Sequence, residues 1–160
     1  MTVQDIDHGW DRITRDLKIL NGGSVSVGFP QEGETASPAG SKSVPFSDIV
    51  QRAVVHEFGA PKVNIPERPF MRPAFDGNKK ELSLFKESVL QRFYKGLISP
   101  SRALDLLGLK HVSQIKAAIN AVNSPPLKNP GPKRGKSGAI NILVDTSQMR
   151  NSVQYTKELV

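Results

Sequence analysis

The most informative part of the chain reads AVVHEFG at residues 53–59 and IPERPFMRPAF at residues 65–75. The first segment is typical of the end of a helix, because Gly59 stands where a left-handed residue commonly ends one. The second segment is rich in proline, which favours an extended path and removes several backbone donors. Such a chain cannot be a central strand, so we predict an extended connector over residues 60–73.

A proline-rich connector can hold its side chains in fixed positions. Aromatic and arginine side chains held in this way dominate protein interfaces. We therefore predict subunit-interface candidates within it, namely Ile65, Glu67, Arg68, Phe70 and Arg72. In the alternative interpretation, Phe70 and Phe75 fill the core. Arg68 then pairs with Glu57 or Glu67.

The N-terminal half predicts a helix, a strand and a second helix. Apolar residues recur at helical spacing in the first segment, which Thr2 can cap and Asn21-Gly22-Gly23 can stop; these residues are Ile6, Trp10, Ile13, Leu17 and Leu20. Residues 24–29 alternate small polar and apolar side chains, which indicates a half-buried strand. The second helix is predicted from Ser47 as N-cap to Phe58. Its predicted buried face is Ile49, Val50, Ala53, Val54 and Phe58.

The C-terminal half predicts three more helices and two strands. The helices are expected over residues 74–95, 99–107 and 112–122, with Gly96 and Gly108 ending the first two and Pro100 at the first position of the second. The strands are expected over residues 140–145 and 152–159. Thr146 is expected to cap a single helical turn between the strands.

These elements predict an α+β fold. Because strands and helices do not alternate, we expect a small, mainly antiparallel sheet with about five helices packed on one face, plus long extended loops. A chain of 160 residues fits a single domain over residues 1–160. Flexible loops are expected near residues 31–45 and 124–139, which are rich in Gly, Pro and polar residues.

Composition limits the classes of partner. The net charge is +7, and part of it lies in one basic loop without acids, at Lys128, Lys133, Arg134 and Lys136. This loop can be merely solvated, or it can contact an acidic neighbouring subunit or passing DNA. The acids among the first 20 residues argue against a signal peptide, and no apolar run is long enough for a membrane span. The absence of cysteine fits folding in a reducing cytoplasm.

The sequence carries no recognisable catalytic, cofactor or metal motif. His56-Glu57 begins like a zinc-protease helix, but position 60 is Ala60 instead of the second histidine. The Gly131–Lys136 stretch lacks the strand and helix of a phosphate-binding loop, and Pro132 removes an amide that such a loop needs. We therefore expect no enzyme activity, no cofactor and no metal.

Taken in order, several short motifs resemble the tail-completion or tail-terminator proteins of long-tailed bacteriophages and prophages. Those proteins place a helix ending in Glu-Phe-Gly before an Ile-Pro-Glu-Arg-Pro-Phe-type segment, as residues 57–59 and 65–70 do here. Further similar segments lie at residues 27–30, 123–127, 143–149 and 152–153. Ser147 departs from the pattern, because glycine is usual at that position.

The resemblance implies assembly and not catalysis. It implies a structural virion protein, made in the host cytoplasm, that forms a ring, commonly hexameric, on the head-proximal end of the tail tube. Such a ring stops tube growth and joins the tail to the head connector. The implied partners are further copies of the chain, the tail tube protein and the neck proteins, with transient contact to passing DNA and none to a membrane. The alternatives are a head-completion or stopper-type neck protein, or a small basic nucleic-acid-binding module.

Overall fold

The computed structural model describes residues 9–30, 45–122, 125 and 148–159. Within these residues the chain forms five α-helices, one short 3₁₀ helix and one antiparallel pair of strands. In chain order the elements are α1 (Trp10–Gly22), β1 (Ser24–Gly28), α2 (Phe46–Phe58), η1 (Pro61–Val63), α3 (Met71–Tyr94), α4 (Pro100–Ala121), α5 (Gln148–Asn151) and β2 (Gln154–Glu158). The predicted α+β class, with a small antiparallel sheet and five helices, is confirmed.

Helix α4 is the centre of the fold. It contacts α1, α3, α5 and both strands, so it also covers one face of the sheet. Its start follows the predicted chemistry, because the Ser99 hydroxyl accepts a hydrogen bond from the Arg102 amide at 3.2 Å and Pro100 occupies the first helical position. Helix α3 runs alongside it and ends at Tyr94; Gly96 follows with a positive φ of 72°, in the helix-ending role predicted for it.

The prediction of two separate helices at residues 99–107 and 112–122 is wrong, because α4 continues through Gly108. Gly108 is buried, and the ring of Tyr155 in β2 lies directly against it. A Cβ atom at this position would stand 2.5 Å from Cδ2 of Tyr155. Glycine is therefore present to let the sheet approach the helix, and not to end the helix.

Gly108→Ala is expected to lower the free energy of unfolding by about 1–3 kcal/mol, although alanine is the better helix former. The added methyl group forces the Tyr155 ring to move, which strains the 3.0 Å hydrogen bond from its hydroxyl to Asp105. Urea unfolding measures the change. Gly77→Ala in α3 is the matched control, because nothing lies within 4 Å of the added Cβ there. Equal stability of the two variants would contradict this packing.

The strands pair from Ser24 with Glu158 to Gly28 with Gln154. Val27 and Tyr155 are partners in this register, and both pack against the core. An isolated pair of strands is marginally stable in water, so the sheet depends on its contact with α4. The predicted strands at residues 24–29 and 152–159 are thus confirmed. The predicted strand 140–145, Thr146 and nearly all of both predicted loops lie outside the described residues.

One apolar core forms where α2, α5 and the N-terminal part of α3 meet the C-terminal part of α4. Its buried members are Ile49, Ala53, Phe70, Ala74, Val112, Ile115, Ile119, Met149 and Val153. The predicted buried face of α2 is only partly correct. Ile49 and Ala53 are buried, but Val54 and Phe58 are exposed, and Glu57 is buried in their place. At the C-terminal end of α2, the side chain that is buried is therefore the carboxylate of Glu57 and not the ring of Phe58.

The other helix predictions need smaller corrections. Helix α2 begins at Phe46, and no side chain caps it, so Ser47 is not its N-cap. Helix α3 begins at Met71, earlier than predicted, which shortens the extended connector. Helix α1 has no fully buried residue, and Trp10 at its start is mostly exposed. The predicted members Thr2 and Ile6 lie outside the described residues.

Candidate functional site

The Glu57 carboxylate, at the end of α2, binds the start of α3. It accepts hydrogen bonds from the backbone amides of Phe70, Met71 and Arg72 at 2.8, 2.9 and 3.0 Å. These amides belong to the N-terminus of α3, where a helix has no internal acceptors and where its dipole favours a negative charge. A side chain from another helix thus takes the place of a local N-cap residue, since Phe70 itself offers no capping group.

Pro73 completes this N-terminus. After the three amides that Glu57 binds, the next residue is proline, which has no amide hydrogen to satisfy. The following amide, that of Ala74, donates to the Phe70 carbonyl at 3.2 Å and starts the regular helical pattern. Every backbone donor at the start of α3 is therefore paired or absent. This explains physically why a glutamate and a proline both belong to this sequence motif.

Arg72 ties the same carboxylate to the connector. Its Nε donates to Glu57 Oε1 at 3.0 Å, and its Nη2 donates to the Glu57 carbonyl at 2.6 Å and to Glu67 at 3.1 Å. The guanidinium also lies over the Phe58 ring, 5.2 Å from its centroid. We call Glu57, Arg72 and the three amides the Glu57 clamp. It fixes the end of α2, the connector and the start of α3 relative to one another.

The charge of Glu57 is stabilised by its hydrogen bonds. Burial raises the pKa of this carboxyl, but the bonds from the Phe70, Met71 and Arg72 amides and from the Arg72 side chain outweigh it, so its pKa is lowered. The pKa of the adjacent His56 is also lowered, by burial and by the nearby Arg68 and Arg52. An anionic Glu57 beside a neutral His56 is consistent with a structural clamp at neutral pH.

The connector after α2 is folded back into a tight loop. Ala60 and Ile65 form an antiparallel bridge, with amide-to-carbonyl distances of 2.8 and 3.1 Å. Gly59 has a positive φ of 71°, and a Cβ atom there would stand 2.9 Å from the Glu67 amide nitrogen. Only glycine allows both the turn and this close approach. The loop consequently holds Val63 at the surface.

Two of the predicted interface residues point into the subunit. Phe70 is completely buried, with its ring edge-on to Phe29 at 6.4 Å between centroids. Arg68 is also buried; its amide donates to the His56 carbonyl, and its Nε donates to the Pro125 carbonyl at 2.9 Å. Both side chains therefore lie inside the folded chain and are not exposed at its surface. Of the alternative interpretation, the core position of Phe70 is confirmed, whereas Phe75 is half-exposed. Arg72 forms ion pairs with both Glu57 and Glu67.

The other three predicted residues remain accessible beside an apolar surface. Glu67 and Arg72 are exposed and Ile65 is partly so. Phe58, whose ring lies beneath Arg72, is exposed, as are Val54 one turn earlier in α2 and Val63 in the loop; we call these three apolar side chains the platform. Phe58 and Val63 are 63% and 65% exposed, and a shallow concavity of about 430 Å³ lies beside Phe58. Large apolar groups held by a rigid clamp can bind another protein surface.

The structure does not test the predicted basic loop. Lys128, Lys133, Arg134 and Lys136 lie outside the described residues. Among the residues that are described, no group of three or more His, Asp or Glu could hold a metal ion. No helix in the same ranges is long and apolar enough to cross a membrane.

Sequence reasoning missed the role of Glu57, although two signals could have found it. Ile49, Ala53 and Glu57 are spaced by four residues and share one face of α2, so an acid at the third position is buried with the other two. In addition, Phe70 precedes a predicted helix without any capping side chain nearby. A buried acid needs hydrogen-bond donors, and the start of a helix without a capping side chain needs an acceptor. The two signals together would have predicted that Glu57 binds the start of α3.

Comparisons with known proteins do not place the chain in a family. No family model matches it, and no solved structure matches it. Over 47 residues it is 50% identical to an uncharacterized protein of Methanocaldococcus jannaschii; the match covers 29% of this chain and 34% of that protein. The chain thus spans about a third of the length of this curated relative, and the relative's name assigns no activity.

Proposed function

We propose that this chain is a structural subunit of a ring at the head-proximal end of a bacteriophage tail tube. In this role it ends tube growth and joins the tail to the head connector. It would be made in the host cytoplasm and carried in the virion, with further copies of itself, the tail tube protein and neck proteins as partners. No catalytic step is part of the proposal.

The observation that carries the proposal is the Glu57 clamp with the platform beside it. The resemblance to tail-completion proteins rests on the Glu-Phe-Gly and Ile-Pro-Glu-Arg-Pro-Phe segments, and the Phe70 amide joins them by donating a hydrogen bond to the Glu57 carboxylate. The outcome is a rigid loop with exposed apolar side chains at its edge. Rigid, apolar and non-catalytic surfaces suit permanent assembly, in which a stable contact buries about 800 Å² per partner.

Deleting the gene from an inducible prophage that carries it tests the function. We expect tails of uncontrolled length that fail to join filled heads, as seen by negative-stain electron microscopy. Expression of the wild-type chain should restore normal virions. Val63→Asp should restore them poorly, whereas Leu84→Asp, a similarly exposed position on α3, should restore them fully. Tails of normal length on filled heads in the deletion strain would contradict the proposal.

A nucleic-acid-binding module is the competing class, favoured by the net charge of +7. Binding to phosphates weakens steeply with salt, because counterions are released. Titration with duplex DNA at about 50 and 200 mM salt distinguishes a nucleic-acid-binding module from a structural ring protein. A dedicated binding module that neutralises several phosphates loses orders of magnitude in affinity over this range. We expect only weak binding at the lower salt concentration. A stopper-type neck protein would share these partners and differ in which of its faces meets the tube.

A further inference from the structure

Helix α1 packs on the rest of the fold without burying any of its residues fully. Its apolar side chains Ile13, Leu17 and Leu20 recur at helical spacing, but each of them is only half-buried. The other four α-helices all contain fully buried residues. An element with few buried apolar contacts opens at a lower free energy than the core of the same protein. Helix α1 therefore differs from the other helices in how firmly burial holds it.

The C-terminal end of α1 is fixed to the fold. Gly23 follows the helix directly, and a Cβ atom there would stand 2.9 Å from Cδ1 of Leu104 in α4. The next residue, Ser24, begins β1 and pairs with Glu158 in β2. This end of α1 consequently lies where the sheet and α4 meet.

The N-terminal part of α1 is attached at the end of α3. The Arg12 guanidinium donates to the Tyr94 carbonyl at 3.2 Å, at a helix C-terminus where carbonyls have no partner within the helix and where a cation is favoured. The Arg12 side chain is 34% exposed, so water can replace this hydrogen bond when it breaks. The other end of α3 is held by the buried Glu57 carboxylate through three amides. Helix α3 is thus capped firmly at one end and more weakly at the other.

We infer that α1 is a hinged arm, which detaches from Tyr94 and turns about Gly22 and Gly23 while the other described elements stay folded. Glycine at the end of a helix permits the backbone rotation that a hinge needs. Detachment exposes the apolar face of α1 and the part of α4 beneath it. Among the described residues, the main core and the half-buried side chains packed against it include none from α1, so the core survives this opening. The inference does not depend on the proposed ring.

Hydrogen exchange of the full chain, combined with two variants, tests the arm. In the wild-type chain, amides of α1 should exchange at least roughly tenfold faster than the most protected amides of α4. Arg12→Ala should raise the α1 exchange rate about two- to tenfold, because it removes a hydrogen bond that the opening breaks. Ile119→Val, in the core, should accelerate the most protected α4 amides by a similar factor and leave α1 unchanged, because the opening of the arm breaks no contact of Ile119.

The matched control is Arg15→Ala in the same helix. The Arg15 side chain is 71% exposed, so its loss should leave the exchange of α1 nearly unchanged. Equal acceleration of α1 and α4 by Ile119→Val would overturn the inference, because α1 would then open only when the whole chain unfolds. Exchange of α1 at the rate of an unfolded peptide, or an Arg12→Ala variant that behaves like Arg15→Ala, would overturn it as well.

Discussion

Phe70→Ala is expected to lower the free energy of unfolding by about 3–5 kcal/mol, as for other buried phenylalanines. The Phe70 side chain has no exposed surface and belongs to the same buried cluster as Ile49, Ala74 and Ile115, with the Phe29 ring edge-on to it. Its removal leaves a cavity at the junction of α2, α3 and α4. Thermal unfolding should show a fall in the melting temperature on the order of 10 °C for a chain of this size.

Phe75→Ala is the matched control for that measurement. Phe75 lies in the first turns of α3, shortly after Phe70, but it is half-exposed and contacts His111 and Lys79 at the surface. Its loss should cost about 1 kcal/mol or less, as for surface positions in general. Similar losses for the two variants would show that Phe70 is not the core residue described here.

The burial of Phe70 also affects the interpretation of assembly experiments with variants at this position. Any loss of ring formation in Phe70→Ala would follow from damage to the fold, because this side chain is completely buried and cannot contact another copy of the chain. Val63→Asp separates the two effects, since the Val63 side chain is mostly exposed and its backbone amide, which donates to the Ala60 carbonyl, is unchanged by the substitution. A stable variant that fails to assemble identifies a contact surface, whereas an unstable one does not.

The elements that the sequence predicts well are those with local causes. Alternating side chains over residues 24–29 predict β1, and Ser99 with Pro100 predicts the start of α4, because strand alternation and helix capping act between near neighbours. Gly96 ends α3 for the same local reason. These parts of the fold can be predicted without knowledge of the rest of the chain.

The errors arise where distant residues decide the outcome. Gly108 looks like a helix end, but the Tyr155 ring, which is far away in sequence, explains why glycine is needed within a continuous helix. Phe58 looks like a core residue from its spacing in α2, but the core ends at Glu57 because the start of α3 supplies amides there. Two of the five predicted interface residues, Arg68 and Phe70, are buried for the same reason, because contacts with distant parts of the chain cover them.

Glu57→Ala is expected to lower the free energy of unfolding by about 3 kcal/mol, which combines the loss of an N-cap with the loss of hydrogen bonds to a charged group. The substitution leaves the amides of Phe70, Met71 and Arg72 without their acceptor in a largely buried place. Hydrogen exchange should also show faster exchange at the start of α3. Glu67→Ala is the control, because this carboxylate also pairs with Arg72 but is exposed, and it should cost less than about 1 kcal/mol.

The same residue makes stability depend on pH in a defined direction. Because the pKa of Glu57 is lower in the folded chain than its ordinary value, the clamp stabilises the fold fully above that ordinary value. This stability is lost as the pH falls through the lowered pKa. The difference in unfolding free energy between the wild-type chain and Glu57→Gln should therefore be largest near neutral pH and shrink in acid. The titration of the other carboxylates changes the stability of both proteins alike and so cancels in this difference. Urea unfolding at a series of pH values measures this difference, and a gap that stays constant into acid would mean that the Glu57 charge does not hold the start of α3.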